Sequence, residues 1–294
     1  KDLCHFIARL PGKAVVDMGI PDMYIAFYDT MISYDNFLNT CHVIGVDFGL
    51  DNKQNDRMEH MDNLLRRQSD AGYKPKDYMP GPVISEPTLK FNFTKELYMD
   101  AIGRIKDYIT AGDVYQVNLS QRIETHIDIP PYELYKKLRS INPAPFSSYL
   151  AFDDVAIISS SPERFLKVND RHVQTRPIKG TRPRGGDIKT DEMMKQALLA
   201  SQKDNAELTM IIDLERNDLG RVCDYGSVKV TERKVLEAYP TVYHLVSTIE
   251  GDLYERYDFI DLLKATFPGG SITGAPKIRA MQIIDELEPT QRSV

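Results

Sequence analysis

The sequence is poor in cysteine, in long apolar runs and in excess basic charge. Its three cysteines, Cys4, Cys41 and Cys223, are far apart and form no Cys-x-x-Cys pair, which argues against a disulfide framework and against a cysteine zinc site. Apolar runs such as Val155–Ile158 fall far short of the ~20 residues that cross a bilayer. No leader-like pattern is present either. We therefore expect a cytoplasmic protein with no membrane partner.

The charge and composition are those of a folded protein. The 294 residues include 37 Lys and Arg against 43 Asp and Glu, a formal net charge of −6, with 42% hydrophobic residues. This balance excludes disorder and collagen-like order, and it predicts a chain that buries a sizeable core in one large or two ordinary domains. Because the chain is acidic overall, we expect no nucleic-acid partner.

The clearest internal boundary is a segment rich in proline and glycine over residues 74–87. We interpret it as a linker between an N-terminal region, residues 1–88, and a larger region, residues 89–294. The N-terminal region has strand-like apolar runs followed by a helical stripe over residues 56–68.

The larger region opens with a strong helix signal. Thr94 is a suitable N-cap, Phe93 is placed to pack on Tyr98, and Gly112 is expected to end the helix. Further along, strands and helices alternate without the regular beat of a doubly wound sheet. The pattern predicts a mixed α+β fold with largely antiparallel sheets.

A basic run over residues 176–186 contains the first candidate functional residue. Such a run is typical of a solvated loop or of a nucleic-acid-binding arm, although no aromatic residues alternate with the charges here. Lys179 differs from its neighbours because it ends a strand-like segment and precedes Gly180. A lysine buried in such a place acquires a lowered pKa and becomes a nucleophile.

Glu163, in the strand before the predicted hairpin turn, is the second candidate functional residue. If Val168 pairs with Arg171 across a hairpin turn, Glu163 lies ~10 Å along the ladder from Lys179, which leaves room for a small ring. Strict alternation puts the two side chains on opposite faces, so the arrangement requires a nearby proline to break the register. An exposed glutamate is the ordinary alternative.

Asp204 and Glu207 form the second candidate pair. Their spacing matches a capping box at a helix N-terminus, and that structural role would be sufficient by itself. The same spacing places two carboxylates where they can contribute to a Mg²⁺ site.

A glycine-rich stretch over residues 268–277 leads into the last helical pattern. Gly269 and Gly274 have the spacing of a phosphate-binding loop, but Ala275 and Pro276 stand where that loop needs Lys and Ser or Thr. A structural loop-to-helix junction is the alternative.

Taken in order, five motifs identify a resemblance to the chorismate-utilising enzymes. The motifs are SPERF, PIKGT, NAELTMIIDLERND, YHLVST and FPGGSITGAPKIRAM. The resemblance implies two packed, largely antiparallel β-sheets with helices outside, the fold of anthranilate synthase component I, with the substrate between the sheets. It also implies a chain truncated at its C-terminal end, since further strands, a second metal-binding glutamate and an arginine follow this point in the family.

The resemblance also implies roles for the candidate carboxylates. Glu207 corresponds to the ligand of a Mg²⁺ cofactor that binds the ring carboxylate of chorismate, with Asp204 behind it as an outer metal-site residue. Glu163 corresponds to the general acid that protonates the departing hydroxyl.

Three further residues correspond to substrate-binding positions. They are His244, whose strand position alone is typical of a core histidine, Ser271 and Gln116. Gln116 stands where the isochorismate and salicylate synthases have a water-activating lysine, which argues against water as the nucleophile.

Lys179 selects between the aminating branches of the family. Anthranilate synthases typically have alanine here, in PIAGT, so the lysine favours the branch that forms 4-amino-4-deoxychorismate for para-aminobenzoate and folate biosynthesis, through a covalent lysine adduct. Ammonia is expected from a class I glutamine amidotransferase partner, because the chain has no glutaminase-like Cys/His set. An anthranilate synthase component I and a non-catalytic scaffold subunit of the same family are the alternatives.

Overall fold

The computed structural model describes residues 10–21, 23–49, 53–70 and 88–292. Its contacts divide the chain into two compact units, one formed by residues 23–86 and the other by residues 1–22 with 87–294. The predicted linker, residues 74–87, lies outside the described residues.

The smaller unit contains a hairpin and one helix. Strand β1 (Thr30–Asp35) pairs antiparallel with β2 (Thr40–Gly45), and helix α1 (Gln54–Asp70) follows. Arg57 of the helix forms a 2.7 Å ion pair with Asp29 just before β1. The helix predicted over residues 56–68 is confirmed.

The predicted N-terminal region, residues 1–88, is divided between the two units, because its first described residues belong to the larger unit. Val15 forms a parallel bridge with Thr290, and its amide donates to the carbonyl of Pro289 at 3.0 Å. The Gln291 amide donates back to the Val15 carbonyl at 2.9 Å. These backbone bonds attach the segment to the other end of the chain, a long-range pairing that composition does not reveal.

Helix α2 (Lys95–Thr110) forms as the sequence predicts. The Thr94 side chain accepts a hydrogen bond from the Leu97 amide, and the Phe93 and Tyr98 rings meet edge to face at 5.5 Å. Gly112 adopts a φ of +82° after the helix, a conformation that glycine tolerates readily.

A five-stranded antiparallel sheet is the centre of the larger unit. Its strands are β8 (Arg164–Asn169), β9 (His172–Arg176), β10 (Ile178–Pro183), β11 (Lys229–Ala238) and the central β12 (Val242–Asp252). Strand β12 pairs along one edge with β11 and along the other with β10 and β9, and β9 pairs with β8.

Shorter antiparallel pairs complete the strands described in this unit. They are β3 (Lys90–Phe91) with β5 (Ile123–Glu124), β4 (Gln116–Val117) with β13 (Gly274–Ala275), and β6 (Phe146–Phe152) with β7 (Val155–Ser161).

Helices complete this unit around a core between the sheet and one long helix. That helix, α5 (Gln202–Gly220), buries Leu208 and Ile212 in the same cluster as Leu245 and Ile249 of the sheet. No helix among the described residues is long and apolar enough to span a membrane. The other helices are α3 (Pro131–Ile141), α4 (Ile188–Ala200), α6 (Phe259–Thr266), α7 (Gly270–Thr273) and α8 (Lys277–Leu287). The predicted α+β fold with antiparallel sheets is confirmed.

The predicted hairpin register between β8 and β9 is wrong. Val168 pairs with Val173 rather than with Arg171, and Asn169 pairs with His172. The two-residue turn is therefore one position later than expected. Asp170 occupies the left-handed region with a φ of +53°, which places the reversal there.

Gly274 is a position where a side chain is excluded. Its φ is +144°, and an added Cβ would lie 2.2 Å from the carbonyl oxygen of Gln116 on the paired strand. We expect Gly274→Ala to lower stability by about 2 kcal/mol or more, since it adds backbone strain and a backbone clash. Gly103→Ala is the matched control, because nothing lies within 4 Å of a Cβ there and alanine favours the helix. Equal melting temperatures for the two variants would contradict this reading.

Candidate active site

Strand β10 brings Lys179 into contact with two other predicted site residues. The Lys179 side chain is 15% exposed, and its Nζ donates a 2.9 Å hydrogen bond to the Ser271 carbonyl oxygen. The same nitrogen lies 3.8 Å from Oε1 of Glu207. The amine is therefore partly removed from water and placed next to a carboxylate.

Gly180 explains how the strand approaches helix α5 so closely. Its φ is +86°, and an added Cβ would lie 2.9 Å from Cβ of Asp204 and 3.0 Å from Cδ1 of Leu198. The pairing with β12 also shifts between Ile178 and Thr181, so a bulge contains the lysine. The Lys-Gly pair in the sequence is the signal for this geometry.

The carboxylates of α5 are not a capping box, which corrects that structural reading. The helix begins earlier than predicted, and Ser201 is its N-cap, with its side chain accepting from the Asp204 amide at 3.3 Å. Asp204 instead accepts a 2.8 Å hydrogen bond from the Arg182 guanidinium. Glu207 lies in the second turn of the helix and does not cap it.

Gln116 connects the short β4 strand to the same carboxylate. Its Nε2 donates to Oε1 of Glu207 at 2.9 Å and to Oδ1 of Asn118 at 3.2 Å. Its own Oε1 is buried and has no hydrogen-bond partner among the described residues. Asn118 in turn donates to the Ser271 carbonyl at 2.9 Å, so it shares that acceptor with Lys179.

Glu163 reaches the lysine-bearing strand from the segment between β7 and β8. Its Oε1 accepts a 3.1 Å hydrogen bond from the amide of Ile178, the residue before Lys179. Pro162 lies between β7 and β8, and Pro177 lies between β9 and β10, so each proline interrupts a run of strand residues. The ladder expected between Glu163 and Lys179 does not form, because β10 pairs with β12 rather than with β7 or β8.

His244 lies on the central strand beside Thr181. The two side chains share a 2.8 Å hydrogen bond through His244 Nδ1, and the Tyr239 ring packs against the imidazole at 5.4 Å. Burial lowers the pKa of His244, with the Glu237 carboxylate opposing that shift. This imidazole favours the neutral form at physiological pH.

A cavity of about 300 Å³ lies next to two of the predicted site residues. Its walls include Glu163 and Ser271 and also Glu215, a buried carboxyl that the sequence analysis did not single out. A larger groove of about 950 Å³ between α5, α6 and α8 contains none of the seven predicted site residues.

The oxygen donors near Glu207 fit part of a magnesium site. Mg²⁺ binds through one or two carboxylates together with waters and substrate groups. Glu207 supplies a carboxylate and Gln116 an unpartnered amide oxygen, while Asp204 is engaged by Arg182 and suits only an outer position. The described residues contain no group of three or more acidic, histidine or cysteine ligands.

Comparison with known proteins shows the family of the chain. The family model described as chorismate binding enzyme matches residues 5–294. The chain belongs to the chorismate-binding enzyme family. It is 38% identical to aminodeoxychorismate synthase component 1 of Bacillus subtilis over 294 residues, covering 100% of this chain and 62% of that protein.

Two anthranilate synthases are similar to the chain to a comparable degree. Component 1 from Pseudomonas putida is 41% identical over 280 residues, covering 94% of this chain and 57% of that protein. The crystal structure of component I from Streptococcus pneumoniae superposes with a TM-score of 0.83 at 30% identity, covering 100% of this chain and 65% of that one. The chain thus spans less than two thirds of these relatives.

Proposed function

We propose that the protein aminates chorismate with ammonia to give 4-amino-4-deoxychorismate, the reaction of an aminodeoxychorismate synthase. The observation that carries the proposal is the Lys179 amine, anchored at 2.9 Å on the Ser271 carbonyl and 3.8 Å from Glu207. An aminating enzyme that adds its nucleophile directly has no need of a partly buried amine at this point. A two-step enzyme does, because the amine serves as its first nucleophile.

The residues support a balanced two-step exchange. Lys179 nitrogen forms a bond to ring C2 while the hydroxyl leaves C4 as water, taking the proton of Glu163. Ammonia then bonds to C4, the bond between C2 and the lysine nitrogen breaks, and the proton lost by ammonia returns to Glu163. Both protein groups end in their starting states.

Glu207 and Gln116 are proposed to hold and orient the substrate carboxylate through a magnesium ion. The ion supplies charge neutralisation and polarisation of the ring. The hydrogen bond from Gln116 to Glu207 fixes the orientation of the Glu207 carboxylate before any ligand binds. The proposed substrate contacts are Ser271, which lines the adjoining cavity, and His244, which is hydrogen-bonded to Thr181 on the lysine-bearing strand.

Ammonia is proposed to come from a separate class I glutamine amidotransferase subunit. Of the two described cysteines, Cys223 is a poor nucleophile for glutamine hydrolysis, since burial raises the pKa of its thiol to about 11. The other, Cys41, is exposed and belongs to the smaller unit.

Product analysis tests the proposal. The whole protein that carries this chain is incubated with chorismate, ammonium and Mg²⁺, and the product is separated by chromatography and mass spectrometry. We expect 4-amino-4-deoxychorismate. Anthranilate would establish the second candidate, anthranilate synthase, which the similarity to the P. putida enzyme favours. Chorismate binding without turnover would indicate a scaffold subunit.

A further inference from the structure

Glu215 is a buried carboxyl in the small cavity beside the proposed general acid. It lies on α5 and is 3% exposed. The cavity of about 300 Å³ is lined by Glu215 and Glu163 together, with Phe165 and Phe267 among its apolar walls. Two carboxyls therefore line one cavity, together with apolar rings, hydroxyl side chains and Arg164.

The cations near Glu215 are engaged by other groups, since Arg164, which also lines the cavity, donates to the Gln174 side chain, and Lys277 is held by Asp218. Lys277 faces it, but Lys277 Nζ is bonded to the Asp218 carboxylate and donates to the Thr266 carbonyl at 2.7 Å. The Asp218 and Lys277 side chains are only 4% and 11% exposed, so they form a closed ion pair. Asp218 faces Glu215 with negative charge, as does Glu163 once it has ionised, and the Gly270 amide stabilises the Glu215 carboxylate.

These surroundings favour the protonated form of Glu215. Burial raises its pKa to about 7, the Asp218 carboxylate adds to the shift, and Glu163 adds to it when ionised, while Lys277 and the Gly270 amide oppose it. Pairs of carboxyls in one low-dielectric space separate into a proton-holding member and an ionising member.

We infer that Glu215 is a positioning residue that stays protonated during turnover, so that Glu163 can become the cavity's single carboxylate after giving its proton to the leaving hydroxyl. This inference rests on the proposed function. A second negative charge in the cavity would repel the newly formed Glu163 carboxylate and oppose proton release. Glu215 keeps its own proton throughout, so the proton balance of the reaction is unchanged.

The pH dependence of turnover tests this role. Glutamine at position 215 mimics the neutral carboxyl at every pH. We therefore expect the ratio of kcat for Glu215→Gln to kcat for wild type to rise about tenfold between pH 6 and pH 8, as ionisation through a pKa near 7 removes the active form from wild type only. Using the ratio cancels the pH dependence of ammonia. Asp213→Asn, an exposed carboxylate on the same helix, is the control and should give a flat ratio.

An infrared measurement separates this inference from the proposed function. Wild type should show a protonated-carboxyl band at pH 6 that is lost at pH 8, and Glu215→Gln should lack it, whichever product forms. A flat kcat ratio, or the absence of that titrating band, would overturn the inference while leaving the product assignment intact. Absence of turnover in wild type would refute the proposed function, and the role of Glu215 with it.

Discussion

Replacing Lys179 with alanine is expected to reduce 4-amino-4-deoxychorismate formation by at least about 100-fold, because the proposed first bond is made by its amine. The fold should tolerate the change, since the strand keeps its backbone pairing with β12 and its Gly180 approach to α5. Steady-state rates with chorismate and ammonium measure the effect. Residual activity from binding and positioning is compatible with the proposal.

Lys203→Ala provides the matched control for this variant. Lys203 is exposed near the start of α5 and should be replaceable without loss of rate. Intact-protein mass spectrometry of wild type quenched after incubation with chorismate and Mg²⁺ but no ammonia should show a chorismate-derived adduct that Lys179→Ala lacks. An unchanged rate and product in Lys179→Ala would reject the covalent exchange.

Local signals in the sequence predicted local structure well. The Thr94 cap, the Phe93 and Tyr98 contact and the end of α2 near Gly112 all depend on residues within a few positions of each other. The structure also brings Lys179 and Glu207, which belong to separate motifs, within 3.8 Å of each other, while their chemical roles stay predictions. These features depend on short-range chemistry or on a chain-wide motif order.

Errors arose where one residue changed a boundary. Ser201 and Asp204 both suit a helix N-cap, and the sequence alone gives no reason to prefer Ser201. In the fold, Arg182 of β10 donates a hydrogen bond to the Asp204 carboxylate, and Ser201 is the cap. In the hairpin, the left-handed Asp170 moves the turn by one position. Such choices between adjacent positions are settled by tertiary contacts.

Glu215 and Asn118 show a different kind of omission. Glu215 lies within a motif that reads as charged and helical, and its burial follows from tertiary packing of α5, including α7 at Gly270. Asn118 acts through a hydrogen bond to the Ser271 carbonyl, a partner far away in sequence. A raised pKa or a shared acceptor is a property of the assembled fold.

Replacing Glu207 with glutamine should separate metal binding from helix stability. We expect Mg²⁺-dependent turnover to fall by at least about 100-fold with little change in melting temperature, because Ser201 caps α5 and glutamine retains an oxygen that accepts from Gln116. Rates measured across a Mg²⁺ titration, beside thermal melts, give both quantities.

Asp213→Asn on the same helix is the control for simple loss of a carboxylate, since its side chain is 66% exposed and pairs only with Arg216 among the described residues. It should keep the wild-type Mg²⁺ dependence. Loss of a cap would cost about 1 kcal/mol and lower the melting temperature. A Glu207→Gln protein that is destabilised yet fully active with Mg²⁺ would therefore assign Glu207 a structural role. The ligand assignment would then pass to other oxygens around Gln116, whose buried Oε1 would still need a partner.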